Sequence, residues 1–323
     1  MPHSRLNSSR AEVGDSIGMS AIFILRGDQE GHYLYVSDSM ADILGWNPAE
    51  LLGTTCYKVF HPEEIPVLLE VHRRALTFEE TACVAYMRVL HKNGNYINCA
   101  VSYSTVYDKT VGTITRAENG PLTIKQALTA REVFEIHPTE DGKGTFRTWP
   151  RSRPSSSRSP SPSSYQLPPI DLSQPWQKLP DPQPRTAFLI DRFTDTSRVM
   201  FVTNDIILHT NRLKDQSFYS IVKPSDRPLV REYIDKAKSW SPVVHDARRS
   251  GGHGYAEFHV LRIPDLPPQG EVYPQGTDES ERHMPGQGFI LVEGIFWAGS
   301  DGVICIIERI DKTKQDNRGD YWK

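Results

Sequence analysis

Cysteines, and histidines close to acids, are the residues of this 323-residue chain whose chemistry could be put to work. The four cysteines, Cys56, Cys83, Cys99 and Cys305, stand far apart and form no CxxC pair. That spacing argues against a zinc cluster and against a disulfide framework, and it suits a reducing compartment. His253, Glu257 and His259 alternate along one run and would share a face of a strand, so a metal site is conceivable there. The commoner role of such residues is a polar strand face turned to solvent, and no metal is expected. His61 in FHPEE reads as structural: Pro62, Glu63 and Glu64 look like a helix start, with carboxylates at the positive end of the helix dipole. No GxSxG, HExxH, P-loop or GxGxxG between a strand and a helix is present, so no catalytic site is expected and the chain is not read as an enzyme. Ser159-Pro160 and Ser161-Pro162 lie among Arg151, Arg153 and Arg158. Phosphate on Ser159 or Ser161 would add about two negative charges per site beside arginines able to pair with it.

Composition bounds the remaining options. The length favours two domains, and 38% hydrophobic with 10% aromatic residues suffices for packed cores. A formal net charge of -3 gives no whole-chain attraction to nucleic acid or to an anionic membrane, so neither is expected as a direct partner. The opening MPHSRLNSSRAEVGDS has no apolar core of a secretory signal, and no apolar run approaches the roughly 18 residues a spanning helix needs. A nuclear or cytoplasmic location follows.

Positioning elements can be read from the pattern. Residues 1–16 are polar and expected to be disordered. Residues 17–117 form a first domain: AIFILRG and YLYVSD make a hairpin, Asn47 caps a short helix with Pro48 first in it, and Pro66–Phe78 sets Val67, Leu68, Val71, Ala75 and Leu76 at helical spacing. Two strands then flank Asn93-Gly94, a strong hairpin turn, and a last strand near Thr110–Arg116 completes five antiparallel strands. Residues 118–148 extend this domain. Residues 149–185, dense in proline and serine, cannot bury enough surface to fold, and as an extended linker they would hold the flanking domains apart. Residues 186–310 repeat the same order of parts, with a loop insertion at 264–288, and 311–323 form a polar tail. SFYSIVKPSDRPLVREYIDKA parallels TCYKVFHPEEIPVLLEVHRRA, as divergent copies of one module would.

The string ELLGTTCYKVFHPEEIPVLLEVHRRAL, with YVSDSMADILGW before it and YMRVLHKNGNYI after it, resembles the PAS fold. It is most similar to PAS domains of basic helix-loop-helix PAS transcription factors and of fungal white-collar type regulators. The resemblance covers about a hundred residues, and the second module joins it by element order. It implies an α+β fold of two PAS-like modules, each a five-stranded antiparallel sheet with short helices across one face, and it implies sensing and protein association. No basic helix-loop-helix region accompanies it.

Within that resemblance Cys56 falls where light-sensing members place their flavin-bonding cysteine. The pattern departs from theirs: Thr55, Tyr57 and Lys58-Val59-Phe60 replace the polar and aromatic residues expected, and Val89 and Cys99 stand near the positions of the flavin-holding asparagines. Cys56 is therefore read as a small buried side chain. His72 lies on the helix from which some members ligate haem, but beside Arg73-Arg74 it reads as a solvated or hydrogen-bonded residue on the polar face. Cofactor-binding candidates are thus Cys56 and His72, and neither flavin nor haem is expected. The residues expected to line the first pocket or core are Phe23, Tyr35, Ile43, Leu44, Cys56, Val59, Phe60, Leu68, Met87 and Val101. For the second they are Phe188, Phe201, Phe218, Ile221, Val230, Phe258, Val260, Phe296 and Ile306. The function read from these features is a signalling or transcription-associated adaptor that binds a PAS protein or itself through an exposed sheet face or strand edge, with a small ligand able to modulate it. The competing reading is a flavin- or haem-bearing sensory receptor.

Overall fold

A computed structural model describes residues 19–117, 130–137, 145–148, 182–208, 213–238, 253–261 and 288–310. Strand β1 (Ser20–Arg26) and edge strand β2 (Tyr33–Val36) form the expected hairpin, followed by α1 (Ser39–Leu44), α2 (Pro48–Leu51) and α3 (Ile65–Thr77). Asn47 accepts the Ala49 N–H while Glu50 returns to the Asn47 N–H, a reciprocal cap ahead of Pro48. Strands β3 (Cys83–Leu90), β4 (Tyr96–Val106) and β5 (Lys109–Arg116) complete the five antiparallel strands.

The first sheet does not stop at five. The extension adds β6 (Glu132–His137), parallel to β3, and β7 (Thr145–Thr148), giving the order β2-β1-β5-β4-β3-β6-β7. The cause is apolar burial: Phe134 is fully buried and stacks on Tyr103, and Ile136 enters the same core.

The second sheet contains β8 (Arg185–Ile190), β9 (Val199–Val202), β10 (Gly254–Leu261), β11 (Phe289–Ala298) and β12 (Val303–Arg309), with α4 (Arg227–Lys238) preceding β10. Its order, β10-β11-β12-β8-β9, is that of the first five strands. The correspondence extends to single hydrogen bonds. Ile22 and Ser37 exchange N–H to Oγ and N–H to O bonds, as Ala187 and Thr203 do. Glu64 accepts the Arg88 N–H and Nε at 2.8 and 2.7 Å, and Asp226 takes the His259 N–H and Nδ1, both at 2.8 Å. Glu64 is therefore a buried anchor onto β3, beyond the helix-start role read from the sequence.

The two modules pack back to back, which corrects the expectation that they stand apart. Strands buried on both faces alternate between two destinations. In β1, Ala21, Phe23 and Leu25 enter the first core, while Ile22 and Ile24 face the second module. In the second sheet Phe188, Phe296 and Cys305 enter its own core, and Ala187, Leu189, Ile295, Trp297, Ile304 and Ile306 face the first module. These outer faces exclude water from one another, so neither is an open docking face. The β11–β12 turn locks the arrangement: Ser300 N–H donates to Ser20 O, Ser20 N–H to Ser300 Oγ, and Asp301 accepts both the Ser39 N–H and its hydroxyl. Gly299 is required at that turn, because a Cβ there would meet the Ile22 side chain at 2.6 Å.

A buried histidine lies in the seam. His253 Nε2 lies 2.9 Å from Ser102 Oγ, and its ring centroid lies 5.2 Å from that of Trp297. Burial, then the nearby Arg131 charge, push His253 down to about 3. A histidine held neutral when folded binds a proton more readily once exposed, so its contribution is complete above about pH 6.5 and is lost as pH falls toward 3. Acidification through that window should destabilise the chain, and His253→Asn should flatten that part of the pH profile in urea denaturation. An unchanged slope in the variant would contradict the assignment.

Candidate functional site

The sequence singled out the neighbourhood of Cys56 and His72, and the fold does bring these two together. Thr55 caps the 3-10 turn Cys56–Val59 by accepting the Tyr57 N–H at 3.3 Å. That turn crosses under the β1–β2 hairpin, and His32 bridges to Thr55. Gly31, at φ +54°, sits between Cys56 and His72, and a Cβ on it would lie 3.0 Å from both Cys56 Sγ and His72 Cε1. The His72 Nδ1 is 2.7 Å from the Tyr57 hydroxyl.

His72, read from the sequence as solvated or hydrogen-bonded, is half-buried against the hairpin turn and hydrogen-bonded to Tyr57. Burial pushes its imidazole down to about 4, with Asp28 pulling weakly the other way. Burial also pushes the Cys56 thiol up to about 12. A thiol so raised carries little thiolate near neutral pH and is a poor nucleophile. Its role is packing, and the second module places Phe218 at the equivalent turn, also fully buried. The His72 ring packs against Gly31, and its Nδ1 is engaged by the Tyr57 hydroxyl.

Most of the expected core residues lie where they were placed. Phe23, Ile43, Leu44, Cys56, Val59, Leu68, Met87 and Val101 are buried in the first core, with Phe60 packed against it. Phe188, Phe218, Ile221, Val230, Phe258, Val260 and Phe296 are buried in the second. Three are corrected. Tyr35 and Phe201 lie on the two edge strands and stack on each other across the seam at 6.2 Å, and Ile306 faces the seam. Their side-chain parity sends them to the outer face, which is itself apolar.

His253, just ahead of β10, and His259 within it do not converge on a metal site. His253 is buried in the seam, Glu257 is exposed, and His259 is held by Asp226. Ser159 and Ser161 lie outside the described residues, as do residues 1–16, most of the linker, residues 264–287 and the tail.

Sequence reasoning missed a buried ionic cluster. Arg73 and Arg74, taken for a polar face, are buried at 4% and 6% exposure. Arg74 Nε lies 2.8 Å from Glu80 Oε1, and the Tyr103 hydroxyl lies 3.5 Å from Glu80 Oε2. Cys83 Sγ is 4.0 Å from the same oxygen. The signal available was Phe78-Glu79-Glu80, two acids just past the helix end and five to seven residues after two arginines, at the end of an otherwise apolar stripe.

A mainly antiparallel sheet with short helical turns and one longer helix packed on a single face defines the first module as a small α+β domain. Residues 33–116 match the family described as the PAS fold, and the first module is a PAS domain. Over 76 residues it is 33% identical to "Protein cycle" of Drosophila melanogaster, covering 24% of this chain and 18% of that protein. Over 75 residues it is 33% identical to "Basic helix-loop-helix ARNT-like protein 1" of Homo sapiens, covering 23% of this chain and 12% of the relative. The chain therefore spans less than a fifth of the curated relatives it matches. A solved structure of the Drosophila Cycle PAS-B domain with bound ethylene glycol aligns at 25% identity with a TM-score of 0.25, covering 29% of this chain and 98% of that one. Among the described residues, no helix is long and apolar enough to cross a membrane.

Proposed function

We propose that this chain is a PAS signalling adaptor associated with transcription, which works by binding protein and performs no catalysis of its own. The observation that carries the reading is the apolar outer face of each sheet, already engaged in one association, module upon module, through Ile22, Ile24, Leu189, Ile295, Trp297 and Ile304. A surface with that composition is an interface by chemistry, because its area is stabilising only when water is excluded. The second module is a PAS domain in this reading, on the strength of its strand order and the matched hydrogen bonds. Because the two outer faces cover each other, a further PAS-containing partner or a second copy of the chain would be met at strand edges or helical surfaces. A nuclear or cytoplasmic location and the absence of direct nucleic-acid and membrane contact belong to the same proposal, as does modulation by a small ligand in the first module.

The flavin and haem alternative is disfavoured by the buried Val89 and Cys99, which offer no polar partner for a flavin ring edge, and by the engaged His72. An absorbance spectrum of the purified chain, recorded with its mass by size-exclusion light scattering, tests the reading. A flat visible region with self-association, or capture of a PAS-containing partner, is expected. A stoichiometric flavin or haem band would overturn it.

A further inference from the structure

The connection from α3 to β3, Phe78–Ala82, touches three parts of the molecule at once. Two of its residues, Glu79 and Ala82, hold positive φ angles of 52° and 56°. Non-glycine residues persist there only where surrounding contacts over-determine the backbone. Those contacts are present. From the second module, the Arg185 guanidinium donates to Glu79 O at 2.8 Å and to Thr105 O at 3.3 Å, and the Gln183 N–H donates to the Glu79 carboxylate. From the extension, Arg131 N–H donates to Ala82 O at 2.8 Å and its side chain to Thr81 Oγ1 at 2.7 Å. Glu80 N–H donates to Ala75 O, and Glu80 O accepts from Thr105 N–H.

At the centre of this junction sits one carboxyl. Glu80 is 8% exposed, and it faces Arg74 from α3, Cys83 from β3, Tyr103 from β4 and Glu132 from β6. Glu132 stands opposite Cys83 in the parallel register, and its Oε2 is buried with no hydrogen-bond partner. Two carboxyl groups enclosed together beside the Arg74 guanidinium cannot both ionise without cost.

We propose that Phe78–Ala82 is a proton-controlled hub: the protonated Glu80 carboxyl keeps β6 and the second module docked on the first, and its ionisation against Glu132 loosens both. Burial, then the Glu132 charge, push Glu80 up to about 8, while Arg74 and Tyr103 oppose the shift. The sign follows from linkage. A carboxyl whose folded value is raised favours the docked state at low pH, and that advantage declines as pH rises from about 4.5 to about 8, then levels off.

Hydrogen-exchange mass spectrometry of the full chain, corrected for intrinsic rates, reads this directly. Between pH 6 and pH 9, protection at residues 132–136 and 183–187 should fall by about tenfold or more, while β1 and β5 change little. Glu80→Gln keeps the size and stays neutral, so its profile over the same segments should be flat. Glu132→Gln removes the facing charge, so the fall should shrink and its midpoint move to lower pH, which keeps the test available if Glu80→Gln does not fold. A flat wild-type profile overturns the proposal, and so does a wild-type-like fall in both variants.

Discussion

Truncating Trp297 to alanine should lower the stability of the full chain by about 3–5 kcal/mol, the range for removing a fully buried aromatic side chain. Trp297 has no exposed surface and lies on the outer face of β11, where its ring packs among Ile22, Ile24, Leu189 and Ile304 at the seam. The loss would therefore fall on the union of the modules more than on either core. Urea denaturation with separate reporters on each sheet should show the cooperative transition splitting in two. Trp297→Phe should be far milder. The indole Nε1 is buried with no hydrogen-bond partner, so the phenyl ring gives up area but also removes a polar group that burial penalises. A Trp297→Ala variant that loses under about 1 kcal/mol would mean that the outer faces are not sealed against each other.

The second large effect concerns where the first module ends. The family match stops at residue 116, yet Phe134 on β6 is fully buried against Tyr103. Phe134→Ala should cost about 3–5 kcal/mol, as an internal core residue would, and should expose the amides of Cys83, Val84 and Ala85 to hydrogen exchange. A domain that truly closed at Arg116 would tolerate the change with a loss of a few tenths of a kcal/mol at most, the scale of surface substitutions.

Both predictions turn on features that local sequence pattern did not expose. The short-range features were legible: Asn47-Pro48 announced its helix cap, Asn93-Gly94 its hairpin turn, and the spacing of Val67, Leu68, Val71 and Ala75 the buried stripe of α3. The PAS resemblance around Cys56 was likewise carried by contiguous residues, and the fold agrees with it. Parity along the strands was harder. Tyr35, Phe201 and Ile306 sit one position from the core-facing register, and the alternation that would have said so is erased where both faces are apolar. AIFIL in β1, GIFWA in β11 and VICII in β12 are continuous apolar runs. Such runs are the mark of a strand buried on both sides, but they do not say what covers the second face.

The buried ionic cluster was hidden for a different reason. Arg73 and Arg74 look like a solvated pair because helical periodicity predicts only which face a residue occupies, and their burial depends on partners brought by other elements. Glu80 follows a chain reversal, and Glu132 arrives from the extension some fifty residues later in sequence. Long-range electrostatic pairing of that kind leaves no local period to read.

The central claim is that one chain folds two sheets against each other, through a seam closed by the β11–β12 turn. The most direct measurement is a disulfide across it. Ser39 Oγ lies 2.9 Å from Asp301 Oδ1, and the native cysteines Cys56, Cys83, Cys99 and Cys305 are all buried and free. Under mild oxidation the double variant Ser39→Cys, Asp301→Cys should form an intramolecular bond within a monomer, identified by peptide mass mapping, while each single variant should not. Cross-linking only between separate chains would contradict the account.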